Sequence, residues 1–118
     1  MDDDHAALFA DVLDLTIRTI IRHDGRRSVL TESETVILAV LAQARGEWKR
    51  KASLATAIYG GEWRWATTWA ACIGNHMSLV KPKIEGCTFG IESDVGRGSL
   101  GYRLTGHLRV RAWDGTVT

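Results

Sequence analysis

The chain has 118 residues, of which 45% are hydrophobic and 25% are charged, with a formal net charge of +1. This length suits one domain with a real core, so we expect residues 1–118 to form a single domain, and it excludes a two-lobed dehydrogenase. No apolar run approaches the roughly 20 residues that cross a bilayer. The acidic start MDDDHAALFADV is unlike a basic secretory signal, so we expect a cytoplasmic protein without membrane contact.

The charges are segregated along the chain. Residues 1–24 hold six Asp against two Arg, residues 45–83 hold seven Lys or Arg against two Glu, and residues 97–111 hold four Arg and no acid. This distribution indicates an acidic end and a basic face, and a basic face favours nucleic-acid binding. Cys72 and Cys87 lack His or Cys neighbours at metal-ligand spacing, so we predict two reduced thiols, no metal and no cofactor.

The N-terminal segment, residues 1–25, predicts a helix over residues 5–22. On a helical wheel its Asp and Arg side chains share a narrow stripe, and the rest of the circumference is apolar. One small domain covers only about half of such a helix, so the sequence predicts a homodimer in which a second copy covers the remainder. The residues expected at this contact are Phe9, Leu13, Ile17 and Ile20. The alternative is a pair of strands over residues 12–29, since apolar residues alternate from 13 to 17.

Three further helices are predicted between residues 30 and 86. Thr31 and Glu34 match a capping box at the start of LTESETVILAVLAQARG, in which each side chain bonds a free backbone N–H. KRKASLATAIYGG predicts a shorter second helix that ends at Gly60. WRWATTWAACIGNHMSLVKPKIEG predicts a third helix, which Pro82 ends or kinks. Its buried stripe, at spacings of three and four residues, is Trp69, Ile73, Met77, Val80 and Ile84.

After Gly86 the period changes from helical to extended. CTFGIES and LGYRL predict two strands joined by a glycine-rich turn, and residues 105–118 predict a basic strand or tail. The turn contains GRGSLG, residues 96–101, which has the spelling of a dinucleotide-binding loop. Such a loop opens a helix inside a βαβ unit, with an acidic residue about 20 positions later. Here a strand-like segment follows and only 17 residues remain, so the glycines predict a hairpin turn instead.

In their order and residues, these elements resemble the winged helix-turn-helix DNA-binding domain of the OmpR type over residues 30–104. LTESETVILAVL matches its first helix, KRKASLATAIYG its second, NHMSLVKPKIEG its recognition helix, and Ile91 with GYRL its wing. The resemblance implies a mainly α fold with a small β wing, in which a three-helix core and a C-terminal hairpin follow the predicted N-terminal helix. The family's domain normally begins with a small sheet instead. The basic residues that usually flank the core Leu of the family's recognition helix are Leu79 and Pro82 here. The 29 residues ahead of the match are too few for a receiver domain.

The resemblance and the basic face together predict a transcription regulator that binds double-stranded DNA. The third helix would enter the major groove, where bases are expected to contact Asn75, Ser78 and Leu79. Phosphates are expected to contact Thr67, Thr68, His76, Lys81 and Lys83 on the third helix, and Lys49, Arg50 and Lys51 beside the second. Arg97 on the wing suits a narrow minor groove. The same residues also fit plain solvated or capping roles, and Leu79 fits a protein contact equally well.

Two other classes of function are alternatives to DNA binding. A winged-helix adaptor would contact another protein through the third helix and the Trp-rich turn, with little or no DNA binding. In either class Trp63 and Trp65 are candidate contacts for RNA polymerase or another protein, because Trp is enriched at binding hot spots. Catalysis is not expected, since the four His are far apart in sequence and no H-x-x-x-H, C-x-x-C or G-x-S-x-G motif occurs.

Overall fold

The structure, a computed structural model, describes residues 9–61, 69–94 and 99–118. Within these ranges the chain forms six strands and three helices. The strands are β1 (Asp11–Asp14), β2 (Thr19–Ile21), β3 (Arg27–Val29), β4 (Phe89–Asp94), β5 (Gly101–Gly106) and β6 (Leu108–Arg111). The helices are α1 (Glu32–Gln43), α2 (Lys51–Tyr59) and α3 (Trp69–Lys83).

Four strands form a mixed sheet in the order β3-β2-β1-β6. In the antiparallel pair β1–β2, Leu13 lies opposite Ile20, and in the parallel pair β1–β6 it lies opposite Val110. All three side chains are buried in the same core as the inner face of α1. Residues 105–118 thus supply a strand to the N-terminal sheet rather than a free tail.

The predicted N-terminal helix is wrong, and the alternative pair of strands is right. Asp14 Oδ1 accepts a hydrogen bond from the Thr16 backbone at 3.0 Å, and Arg18 adopts a φ of 51°, so the chain reverses between β1 and β2. Leu13 and Ile20 are fully buried within their own chain. Leu13 and Ile20 therefore have no surface left for a second copy, whereas Phe9 and Ile17 are exposed. A contact through a shared helix is wrong because the helix is absent, and the homodimer stays a prediction.

The predicted fold class is also corrected. The described residues form an α/β fold with two sheets, rather than a mainly α fold with a small wing. The cause is a long-range pairing that no local pattern reports, because β1 and β6 are 97 residues apart in sequence. The N-terminal sheet is what the resemblance to OmpR-type domains leads one to expect ahead of the helices.

The three predicted helices are present. The capping box of α1 is confirmed, with Thr31 Oγ1 accepting from the Glu34 backbone at 3.2 Å and Glu34 Oε1 accepting from the Thr31 backbone at 2.8 Å. Helix α2 ends at Gly60, whose φ is 76°. Pro82 lies in the last turn of α3, which ends one residue later. The buried stripe of α3 includes Ile73, Met77, Val80 and, just past the helix, Ile84.

The predicted hairpin is β4–β5, an antiparallel pair whose outermost partners are Asp94 and Gly101. The turn itself, residues 95–98, lies outside the described residues. Gly101 has a φ of 98°, and a Cβ there would collide with the Lys49 carbonyl and with the Arg50 Cα. The hairpin therefore docks directly against the segment that leads into α2.

Candidate nucleic-acid interface

The outer face of α3 carries the predicted base-reading residues. Asn75, Ser78 and Leu79 are all exposed, and the Leu79 side chain keeps 60% of its surface accessible. Ser78 Oγ donates to the Gly74 carbonyl at 3.0 Å, so that its hydroxyl is anchored to the helix. Asn75 and Leu79 lie one helical turn apart and present an amide and an apolar group side by side, which suits an adenine edge and a thymine methyl.

The end of the hairpin at Asp94 and Gly101 brings together basic residues that are distant in sequence. On one side, Lys81 Nζ of α3 donates to Ser93 Oγ of β4 at 3.1 Å. Ser93 pairs with Tyr102 across the hairpin. On the other side, Tyr102 and Lys49 exchange two backbone hydrogen bonds of 2.7 and 2.9 Å. Lys81 and Lys49 therefore flank the same level of the hairpin, one residue pair from its outermost partners, Asp94 and Gly101.

The N-terminus of α2 concentrates positive charge. Its N-cap, Arg50, makes no side-chain capping bond, and the first turn holds no acid. Lys49, Arg50 and Lys51 form no ion pair with any acid in the described ranges. Free N–H groups and the helix dipole also make this end positive. These charges repel each other in the free protein and favour an anion such as a phosphate.

Two predicted phosphate contacts have other partners. Lys83 Nζ lies 2.6 Å from Oε1 of Glu34, which is fully buried, so this lysine ties the end of α3 to the start of α1. Burial raises the pKa of Glu34, but the bonds from Lys83 and Thr31 outweigh it and the pKa is lowered overall. His76 Nε2 lies 3.0 Å from the Tyr59 hydroxyl and joins α3 to α2. Lys83 is thus already paired with a carboxylate and His76 is already hydrogen-bonded, and their contacts with phosphate stay predictions.

Five predicted site residues lie outside the described residues. Their placement therefore stays a prediction from the sequence, including the contacts expected with phosphates, the minor groove and RNA polymerase. They are Thr67, Thr68, Arg97, Trp63 and Trp65.

Sequence reasoning missed the polar cluster that joins the sheet to the hairpin. Asp11 is fully buried and accepts bonds from the backbone and ring of His23, at 2.8 and 2.9 Å, and from the Thr88 backbone at 2.9 Å. Burial raises the pKa of Asp11, but these bonds outweigh it and lower the pKa overall. No local signal marks a partner 77 residues away.

The same cluster keeps Cys87 unreactive. Burial, together with the hydrogen bond to Asp11, raises the pKa of the Cys87 thiol to about 11. A thiol with this pKa stays protonated at neutral pH and is a poor nucleophile. Among the described residues, no group of three His, Cys, Asp or Glu could hold a metal ion. The contacts of the cluster join β1 to the segment before β4.

The chain matches no family model, no curated protein and no solved structure. No described helix has the length and apolar character needed to cross a membrane.

Proposed function

We propose that the protein is a cytoplasmic transcription regulator of OmpR-type descent that binds double-stranded DNA. Helix α3 enters the major groove, and the N-terminus of α2 contacts the phosphate backbone. The observation that carries this proposal is a group of three cations, Lys49, Arg50 and Lys51, at a helix start without a side-chain cap. None of the three forms an ion pair with a described acid. Such an arrangement concentrates positive charge at one place on the surface, and a phosphate neutralises it.

The positions of the other residues support the same orientation. Lys81 lies beside the hairpin at the level of Lys49, so two basic segments border one end of the hairpin. Asn75 and Leu79 are exposed on the same helix that carries Lys81. Contacts with phosphate position a protein on DNA, and short side chains on the inserted helix read the bases. In this division the cations supply affinity and α3 supplies specificity.

An adaptor function is the second candidate, and the exposure of Leu79 favours it. A leucine that keeps 60% of its surface in water on an outward helix face also fits a contact with an apolar protein surface. The two functions differ in their response to salt. Binding to phosphates releases counterions and weakens steeply with salt, whereas an apolar contact does not.

The experiment measures fluorescence anisotropy with an arbitrary labelled duplex over a salt series. The test variant is Arg50→Gln with Lys51→Gln, and its matched control is Arg26→Gln with Arg27→Gln on and beside the outer strand β3. Removing two phosphate contacts should lower the slope of log K against log salt by about 1.8. The control should leave the slope unchanged. Equal slopes for both variants, or no DNA binding at low salt, would reject the proposal and favour the adaptor.

A further inference from the structure

The outer side of α1 forms an apolar groove that no described residue fills. Val36, Ala39 and Val40 recur at helical spacing on this side, whereas the buried residues Ile37, Leu38 and Leu41 face the core. The groove has a volume of about 460 Å³. Its walls are completed by Leu15, from the turn after β1, and by Trp113. A cavity of this size accommodates a large side chain from a partner.

Trp113 is a preformed anchor at the rim of this groove. Its side chain is 75% exposed. The turn that carries it is closed by hydrogen bonds from Ala112 N to Thr116 O at 2.8 Å and from Gly115 N to Ala112 O at 3.0 Å. Thr116 N also donates to Asp114 Oδ1 at 2.9 Å. An anchor whose backbone is held in place before binding loses less conformational entropy, and Trp is enriched among residues that dominate interfaces.

The charges at the groove are self-complementary. Arg18 and Glu32 both line it, both are exposed, and neither forms an ion pair with a described residue. A single patch therefore offers one positive group, one negative group, an apolar groove and an aromatic anchor. A two-fold axis brings each of these features opposite its complement.

We propose that a second copy of this chain docks on the groove about a two-fold axis. Trp113 of each copy enters the other copy's groove, and Arg18 of each copy faces Glu32 of the other. Two-fold contacts of this kind use the same patch on both subunits. The dimer forms without DNA, so its test is independent of the proposed function.

The first test is sedimentation velocity of the full chain without DNA, from about 1 to 300 µM, a range that detects micromolar self-association. Trp113→Ala should weaken the dimer by about 30-fold or more. Leu100→Ala removes an exposed apolar side chain outside the groove and should leave the dimer unchanged. A chain that stays monomeric throughout, or a dimer insensitive to Trp113→Ala, would overturn the proposal.

The second test identifies a second copy as the occupant. Arg18→Glu and Glu32→Arg should each weaken the dimer by about tenfold, because each places like charges face to face. The double variant exchanges the two charges and should restore the dimer. Melting temperatures measured in parallel show that each variant is folded. Failure of the double variant to recover, with both single variants folded and weakened, would reject this two-fold pairing.

Discussion

Glu34 is fully buried at the start of α1, where its Oε1 accepts hydrogen bonds from both the Thr31 backbone and the Lys83 ammonium. One carboxylate oxygen therefore completes the capping box and joins α1 to the end of α3. A buried carboxylate is tolerated only with such partners, because an unpaired buried charge is strongly destabilising.

The first prediction concerns the pH dependence of stability. The pKa of Glu34 is lowered in the folded protein. Its stabilisation is therefore present above the ordinary Glu pKa of about 4.3 and is lost as the pH falls through the lower, folded value. Glu34→Gln should destabilise the protein by about 1–3 kcal/mol at pH 7. It should also remove part of the loss of stability below about pH 4.3.

Urea unfolding between neutral and acidic pH measures both effects. The control is Glu47→Gln, which changes an exposed Glu and should leave the curve near that of the parent protein. Because the pKa of Asp11 is also lowered, Glu34→Gln should still lose some stability at acidic pH. Identical pH dependence in the parent and Glu34→Gln would show that the ion pair with Lys83 contributes nothing to stability.

At the scale of elements, the hairpin and the segment before α2 are joined at Gly101. The Gly101 backbone has a φ of 98°, and the Lys49 carbonyl and the Arg50 Cα occupy the space of a Cβ. The neighbouring Tyr102 and Lys49 are paired through their backbones. The Arg103 guanidinium, which is 2.7 Å from Glu92, also lies 4.7 Å from the centre of the Trp48 ring. These contacts hold the basic start of α2 against the hairpin.

The second prediction compares Ala substitutions at three glycines. Gly101→Ala meets both a backbone collision and a strained φ, and should cost about 2–4 kcal/mol of stability. Gly25 has a φ of 88° but open space around it. Gly25→Ala should therefore cost only about 1–2 kcal/mol of stability. Gly74 lies in α3 with open space around it. Gly74→Ala should therefore stabilise the protein by up to about 1 kcal/mol. Thermal unfolding checks this order, and equal losses at Gly101 and Gly25 would contradict a tight docking of the hairpin.

At the scale of the whole molecule, a few long-range polar contacts hold the sheet, the helices and the hairpin together. Asp11 joins β1 to the start of β4 through Thr88. Thr88 in turn donates to the His107 carbonyl at 2.8 Å, between β5 and β6. The N-terminal sheet therefore supports the hairpin and, through α1 and Lys83, the end of α3. This framework is what gives the proposed DNA-binding face a fixed shape.

The third prediction separates base reading from phosphate binding on that face. Asn75→Ala should reduce discrimination between a preferred duplex, selected from a random pool, and random DNA by about 1–3 kcal/mol. Lys81→Ala should weaken binding to both duplexes about equally and lower the salt slope by about 0.9. Competition titrations with both duplexes measure the difference. Equal effects of the two substitutions would remove Asn75 from base reading.

The elements that the sequence predicted correctly depend on nearby residues. The capping box needs Thr31 and Glu34, three positions apart, and the stripe from Ile73 to Ile84 needs only the period of a helix. The hairpin likewise follows from alternation and glycine over a short span. For the candidate site, the same helical period predicts that Asn75, Ser78 and Leu79 lie on the exposed face of α3, as the structure shows.

The remaining features were decided by tertiary structure. The apolar residues of the N-terminal segment fit a helix or strands, and the pairing of Leu13 with Val110 across the sheet selected strands. No residue near Lys83 in sequence indicates its ion pair with Glu34, which is 49 residues away. The groove beside Trp113 likewise exists only because distant segments meet on α1. Hydrogen bonds within a helix or hairpin link neighbours and leave a local pattern, whereas contacts between distant residues form only when the whole chain folds.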